Sequence, residues 1–279
     1  IQLVNMMYGT VDMMAVSHNV AIIGENAKAQ VLVCDHAYGS EVSYLSNRLT
    51  QVFVGKNAIY EHYKLESSSE KTTNVSTLQI TQHEGTQVLT NLITLANGKT
   101  HNRVDVNLNG KGAHLSINGL GLGHNTERIE NHTFINHNVA GATSNELFKY
   151  VLDDNAEGDF YGLIKVLPDA QQTQAFQINR NLCLSKTARM FTRPQLEIYA
   201  DDVKCNHGST VGQLDENALF YMRARGIDPD EARMLLMFAF VHDVLDNVRI
   251  EPLKDRLQLL IERRLRGDKT HCSGCKICR

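Results

Sequence analysis

"VDVNLNGKGAHLSINGLGL", residues 104–122, decides how most of this chain folds. Val104, Val106 and Leu108 alternate with Asp105, Asn107 and Asn109, and Leu115 and Ile117 keep the same beat after a Gly-Lys-Gly-Ala corner. Successive side chains of a strand point to opposite faces, so this beat reads as strand, corner, strand. Further out, "LQIT" (78–81), "FYGLIKVL" (160–167) and "LEIYA" (196–200) read the same way. Helical periodicity is rare before about residue 200, the exception being a candidate short helical turn at Asn145 to Val151.

The corners recur. Gly9, Gly24, Gly39 and Gly55 step by about 15 residues, a spacing that points to stacked coils. "GENA" at Gly24, "GKNA" at Gly55 and "GKGA" at Gly110 repeat one motif, with an echo in "SKTA" at Ser185. A glycine or asparagine at a corner takes positive φ, and the alanine after it is small enough to pack beneath the next coil. Asn107, Asn109, Asn118, Asn125, Asn131, Asn136 and Asn138 suit such corners too. Short strands without helical crossovers predict a β-solenoid over residues 1–210. The competing architecture is a β-sandwich, which needs hairpin turns that are scarce here.

From about Val211 the period changes to that of helices. "LDENALFYMRARG" sets Leu214, Ala218, Leu219 and Met222 on one face and stops at Gly226. A second helix opens at Asp228 as N-cap, with Pro229 at the first helical position and Glu231 three residues after the cap. Its centre, Leu235 to Val241, is apolar nearly all round, which predicts burial on more than one side. A third helix follows Pro252 with a stripe of Leu253, Leu257, Leu260 and Ile261. The expected organisation is a mainly β solenoid (1–210), a small C-terminal α-helical domain (211–267) and a cysteine-rich tail (268–279).

The chain's 279 residues carry 28 basic and 31 acidic side chains, a net charge of −3 that argues against nucleic acid as partner. No apolar run reaches the roughly 20 residues of a membrane-spanning helix. Three of the six cysteines sit in the last eight positions, unlike a secreted disulfide framework, which predicts a reducing, cytoplasmic setting. Ile1 falls inside what reads as a strand, so a preceding segment is expected. No G-x-x-x-x-G-K-[ST] loop is present, so the chain is not expected to hydrolyse ATP. "GLGLG" at Gly119 to Gly123 lacks the strand-to-helix context of a dinucleotide loop and reads as a tight coil of the solenoid.

Three longer stretches resemble a known family. "RPQLEIYADDVKCNHGSTVGQLDENALFYMRARGID" (193–228), "NGLGLGHNTERIENHTFINHNVAGATSNELFKYVLD" (118–153) and "FYGLIKVLPDAQQTQAFQINRNLCLS" (160–185) are similar to the SufB/SufD family of the SUF iron–sulfur cluster assembly machinery. "CNHGSTVGQLDE" (205–216) lies nearer the SufD branch than the "H-E-A-[ST]-x-S-x-I" pattern of SufB. The resemblance implies a right-handed parallel β-helix, pairing with SufB or with a second copy, and C-terminal helices that hold the ATPase SufC. It implies a non-enzymatic subunit with no tightly bound cofactor in isolation and an iron–sulfur cluster passing transiently through the interface. The family's N-terminal helical region has no counterpart here.

Cys205 and His207 are two apart and share one face of a strand, where a thiolate and an imidazole can share a metal and the histidine can lower the thiol pKa. Packing alone also accounts for a small buried cysteine and a hydrogen-bonded corner histidine. The resemblance favours function, because Cys205, His207 and Gly208 match the family's Cys-x-His-Gly, whose histidine is implicated in cluster building. Asp201 and Asp202 carry no catalytic role. In the tail, Cys272, Cys275 and Cys278 have C-x₂-C-x₂-C spacing, with His271 as a fourth donor for Zn or Fe, or they are free thiols of a loose end. The helical segment around Leu214, Tyr221, Arg225 and Asp228 is the expected partner platform, and Arg263, Arg264 and Arg266 read as a solvated helix end. Two other functions fit less well: a polysaccharide-cutting β-helix enzyme, which needs clustered acids that this ladder lacks, and a metal carrier acting through its cysteine tail.

Overall fold

The computed structural model describes residues 1–38 and 42–267; Gly39 and the tail candidates His271, Cys272, Cys275 and Cys278 lie outside the described residues. Among the described residues, eight odd-numbered strands from β1 (Gln2–Tyr8) to β15 (Lys204–Gly212) form one sheet. Seven even-numbered strands from β2 (Met13–Ile23) to β14 (Arg189–Ile198) form the other. Each strand pairs in parallel with the strand two further along the chain, never with its immediate successor. This is a solenoid and not a sandwich, whose consecutive strands pair antiparallel. One full turn takes 26 to 32 residues by strand register, so the step of about 15 between corner glycines is half a turn.

The corners follow the repeat. Asn26, Asn57 and Gly112 have φ of 57°, 56° and 70°, and Gly85, Gly141 and Gln172 take the same left-handed conformation. Their N–H groups donate to the next coil: Asn26 N to Lys56 O at 2.9 Å, Asn57 N to Glu84 O at 2.8 Å, Gly141 N to Gln171 O at 2.9 Å. The following residue is small and enclosed, as in Ala58, Ala113 and Ala142. Of the seven asparagines read as corner residues, Asn109, Asn125 and Asn138 do lie at corners, but Asn107, Asn118, Asn131 and Asn136 lie within strands. Asn107 (β8, Lys99–Leu108) and Asn136 (β10, Arg128–His137) sit in strands and pair side by side, Asn136 Nδ2 donating to Asn107 Oδ1 at 3.1 Å. Asn102 donates to Asn131 at 3.0 Å and Asn138 to Asn109 at 2.7 Å. In-register parallel stacking places like on like, and an amide is both donor and acceptor, so asparagine can bond to asparagine in successive coils.

Between the sheets lies an apolar core including Val106, Leu108, Ile117, Ile135, Phe148, Phe160 and Ile164. Asn145 to Val151 is not a helical turn but part of strand β11 (Thr143–Leu152). Phe148 and Tyr150 point inward there and need room. The neighbouring strand β9 (His114–Gly123) gives that room, because Gly119 faces the Phe148 ring and Gly121 the Tyr150 ring. "GLGLG" is therefore an extended strand whose glycines clear space for aromatics, while Leu120 and Leu122 point outward.

Three helices follow, α1 (Glu216–Ala224), α2 (Pro229–Leu245) and α3 (Glu251–Leu265), and α2 and α3 cover those outward leucines. Met234, Met237, Val241 and Val244 of α2 and Leu253, Leu257 and Ile261 of α3 pack on Leu89, Ile93, Leu120 and Val151 of the eight-stranded sheet. Asp228 caps α2 as its sequence implies, accepting from Asp230 N at 2.9 Å. α2 is buried mainly along one stripe, not all round: Leu235 is 40% exposed. The helix lies on the outside of the sheet with α1 and α3 beside it, so its far side meets water.

Polar contacts fasten the layer. Lys149 Nζ, on the outer face of β11, reaches Phe240 O and Asp243 Oδ2, each at 2.6 Å. Arg264 is not a solvated end: its Nη2 lies 2.7 and 2.9 Å from the two carboxylate oxygens of buried Glu127. Arg266 pairs with Glu231 of α2 at 2.6 Å.

Candidate functional site

β15 ends the eight-stranded sheet and β14 ends the other, so at this end of the solenoid the outer backbone edges face no further strand among the described residues. β15 pairs with β13 (Gln174–Cys183), with Cys205 opposite Ala175, His207 opposite Gln177 and Ser209 opposite Asn179. Ala175, Gln177 and Asn179 are enclosed because β15 stacks over them. With no coil stacked on β15, its own residues are left open. Cys205 is half-buried against the core and His207 is exposed. The two therefore share a face, as their spacing predicts.

Their electrostatics differ from expectation. Burial pushes the Cys205 thiol up, with a backbone hydrogen bond from Ala175 acting weakly the other way, and no lowering by His207 is seen. Beside them, Phe176, Ile178, Arg180, Asn206, His207 and Thr210 line an open groove of about 320 Å³. Phe176 and Ile178 are each 38% exposed, apolar area that the helices do not reach. Among the described residues, no third His, Cys, Asp or Glu joins Cys205 and His207 in a three-donor group. Asp202 serves the corner, its carbonyl accepting from Gln172 N at 2.6 Å and its N–H donating to Gln171 Oε1 at 2.8 Å.

The four helical candidates separate by role. Leu214 packs against the core between helices and sheet, and the Asp228 carboxylate is committed to capping α2. Tyr221 and Arg225 are exposed on α1, joined by a 3.0 Å hydrogen bond and by the guanidinium over the ring at 5.1 Å. Phe220 beside them is 73% exposed, so α1 presents an aromatic and cationic surface.

Three further groups were not singled out by sequence reasoning. Inside the early coils, Arg48 pairs with Asp35 at 2.6 Å and Lys64 with Glu66 at 2.6 Å. Between them sits His62, which burial drives down to about 3. Deeper along the core, burial lifts Glu146 to about 7 against its bond from Gln177. On the outer face of the seven-stranded sheet, His101, Glu130 and His132 cluster. The signal for the His101 cluster was the full repeat, which sets His101 and Glu130, 29 residues apart, side by side; Asp35 and Arg48 are 13 apart on facing strands, where no repeat marks them.

Comparison with known proteins fits this geometry. Residues 6–240 match a profile of the SUF system FeS cluster assembly SufBD core domain. The chain is 31% identical over 245 residues to the iron–sulfur cluster assembly protein SufD of Escherichia coli, covering 88% of this chain and 58% of that protein. It is 32% identical to a SufBD family protein of Synechocystis, over 77% of this chain and 48% of the relative. It is 30% identical to SufD of Bacillus subtilis, over 79% and 51%. The chain thus spans roughly half the length of these relatives.

Proposed function

The chain belongs to the SufBD core family of the SUF iron–sulfur cluster assembly system, and from that premise we propose that it is a non-catalytic scaffold subunit of the SufD type. The observation that carries the reading is the open β15 edge bearing Cys205 and His207. An iron–sulfur cluster takes about four protein ligands. This edge offers two, so a partner chain placed against it must supply the rest. That partner is SufB in the assembled complex, or a second copy of this chain when it is alone. The cluster is cargo, held while it is built, and no resident cofactor is needed.

The SufC ATPase docks on the helical layer, where Phe220, Tyr221 and Arg225 form the exposed part of α1. Aromatic residues and arginine are the side chains enriched at the energetic centres of protein interfaces. Lys149 and Arg264 couple that layer to the solenoid, so movement of the helices is transmitted to the strands. The setting is the cytoplasm. Cys183 and Cys205 are free thiols, in keeping with a reducing compartment. Among the described residues no helix is long and apolar enough to cross a membrane. The family assignment favours this role over the polysaccharide-cutting and metal-carrier alternatives.

The test is co-purification with SufB and SufC, comparing the unaltered chain with His207→Ala and measuring iron and acid-labile sulfide. The expected result is an intact complex that loses its cluster in the variant. A variant complex with a full cluster load would make His207 structural and overturn the assignment.

A further inference from the structure

The outer face of the seven-stranded sheet, which the helices leave uncovered, brings together donors that the scaffold role does not use. In-register stacking sets His101 of β8 beside Glu130 of β10, with Asp159 of β12 (Glu157–Val166) next in the same row. Two residues along, Arg103, His132 and Tyr161 form the adjacent row. His101 Nδ1 lies 2.8 Å from Glu130 Oε2, and a ring nitrogen of His132 completes a trio whose atoms all lie within 4.8 Å of one another. The two imidazoles meet edge to face with centroids 4.9 Å apart.

Neighbouring charged groups fix how these side chains are turned. Arg128 Nε takes the other oxygen of Glu130, Oε1, at 2.5 Å and leaves Oε2 turned to the imidazoles. Glu130 thus has one oxygen on Arg128 and the other on His101. His132 stacks against the His101 ring and lies on the same outer face. Its Nε2 is enclosed without a hydrogen-bond partner. Asp159 stands 3.7 Å from that nitrogen, anchored by Arg193 at 2.8 and 2.9 Å, and adds a second carboxylate at the edge of the trio.

We propose that His101, Glu130 and His132 form a mononuclear site for a borderline divalent cation of the Zn²⁺ type, with a fourth position open to water or an outside ligand. Two imidazoles and one carboxylate are the donor set of open zinc sites, at bond lengths of about 2.0–2.2 Å. The trio needs to draw in by about 1 Å, which half-exposed side chains on a rigid sheet can do by small rotations. The cation displaces the proton shared by His101 and Glu130 and takes over the Glu130 oxygen that Arg128 does not hold. The site shares no residue with the β15 edge, so the two are separable by mutation.

The test is a Co²⁺ titration of the full chain carrying Cys272→Ser, Cys275→Ser and Cys278→Ser, followed by displacement with Zn²⁺. Saturable binding of about one Co²⁺ per chain is expected, with visible absorption bands and no thiolate-to-cobalt charge-transfer band. His132→Ala and Glu130→Gln should each weaken binding by at least about tenfold, while His18→Ala on an earlier coil changes nothing. Circular dichroism checks that each variant is folded, and Glu130→Gln, the near-isosteric change, serves if His132→Ala is not. Absence of saturable uptake, or uptake that neither substitution weakens, would overturn the site.

Discussion

Removing the Arg264 side chain is expected to loosen α3 from the solenoid in a pH-dependent way. Arg264 bonds both carboxylate oxygens of Glu127, and the two side chains are 12% and 3% exposed. Screening by solvent is therefore slight. Taking away one partner of a buried pair strands the other charge and costs about 3–5 kcal/mol. Glu127 keeps only the backbone N–H of His124 at 2.8 Å. The apolar stripe of α3, Leu253, Leu257, Leu260 and Ile261, still holds it on the sheet, so Arg264→Ala should fold and open more often. Local opening is read by hydrogen exchange of the α3 amides. At about 1.36 kcal/mol per tenfold, protection should fall by roughly two to four powers of ten.

The sign of the pH effect follows from burial. Burial raises the Glu127 carboxyl above its ordinary value by more than Arg264 lowers it, and losing Arg264 raises it further. A carboxyl whose folded pKa is raised binds its proton better in the folded state, so stability is lost as pH rises above the unfolded value. The deficit of Arg264→Ala should therefore be larger at about pH 8 than at about pH 5. Adding Glu127→Gln should recover most of it. Exchange within about 1 kcal/mol of the unaltered chain at the higher pH, or no recovery in the double variant, would refute the reasoning.

Gly119→Ala puts a Cβ into the Phe148 ring, and overpacking of this kind costs about 1–3 kcal/mol. A lower urea midpoint is expected, partly restored by Phe148→Leu; an unchanged midpoint would mean the strands can shift apart. Glu146, at about 7 against an ordinary 4.5, should make the protein less stable as pH rises between those values, by about 3 kcal/mol. Glu146→Gln has no such titration, so its stability relative to the unaltered chain should improve by that amount over the same interval. A difference that stays flat with pH would contradict the burial of an ionisable Glu146.

Wherever the controlling physics is local, the residues already carried the answer. The alternation at Val104 to Leu108, the Asn-Ala and Gly-Ala corners, and the Asp228-Pro229 helix start depend on a few neighbouring residues, and each forms as read. The readings that changed depend on residues a full turn or more apart. Asn107 and Asn136 look like corner residues until a repeat of 29 sets them side by side. Asn145 to Val151 has a helical look because Phe148 and Tyr150 point into the core while Lys149 and Val151 point to the helices, leaving both faces of the strand buried. Arg264 reads as solvated because its partner Glu127 is 137 residues away. At the site, the spacing of Cys205 and His207 fixed their shared face. The openness of that face comes from β15 being the last strand of its sheet. Sequence alone determined the strands, corners and helix ends, since those arise from short-range sterics and hydrogen bonds. Only the tertiary structure decided which charges meet and which faces stay bare, because stacking and layer docking join positions that no local pattern connects.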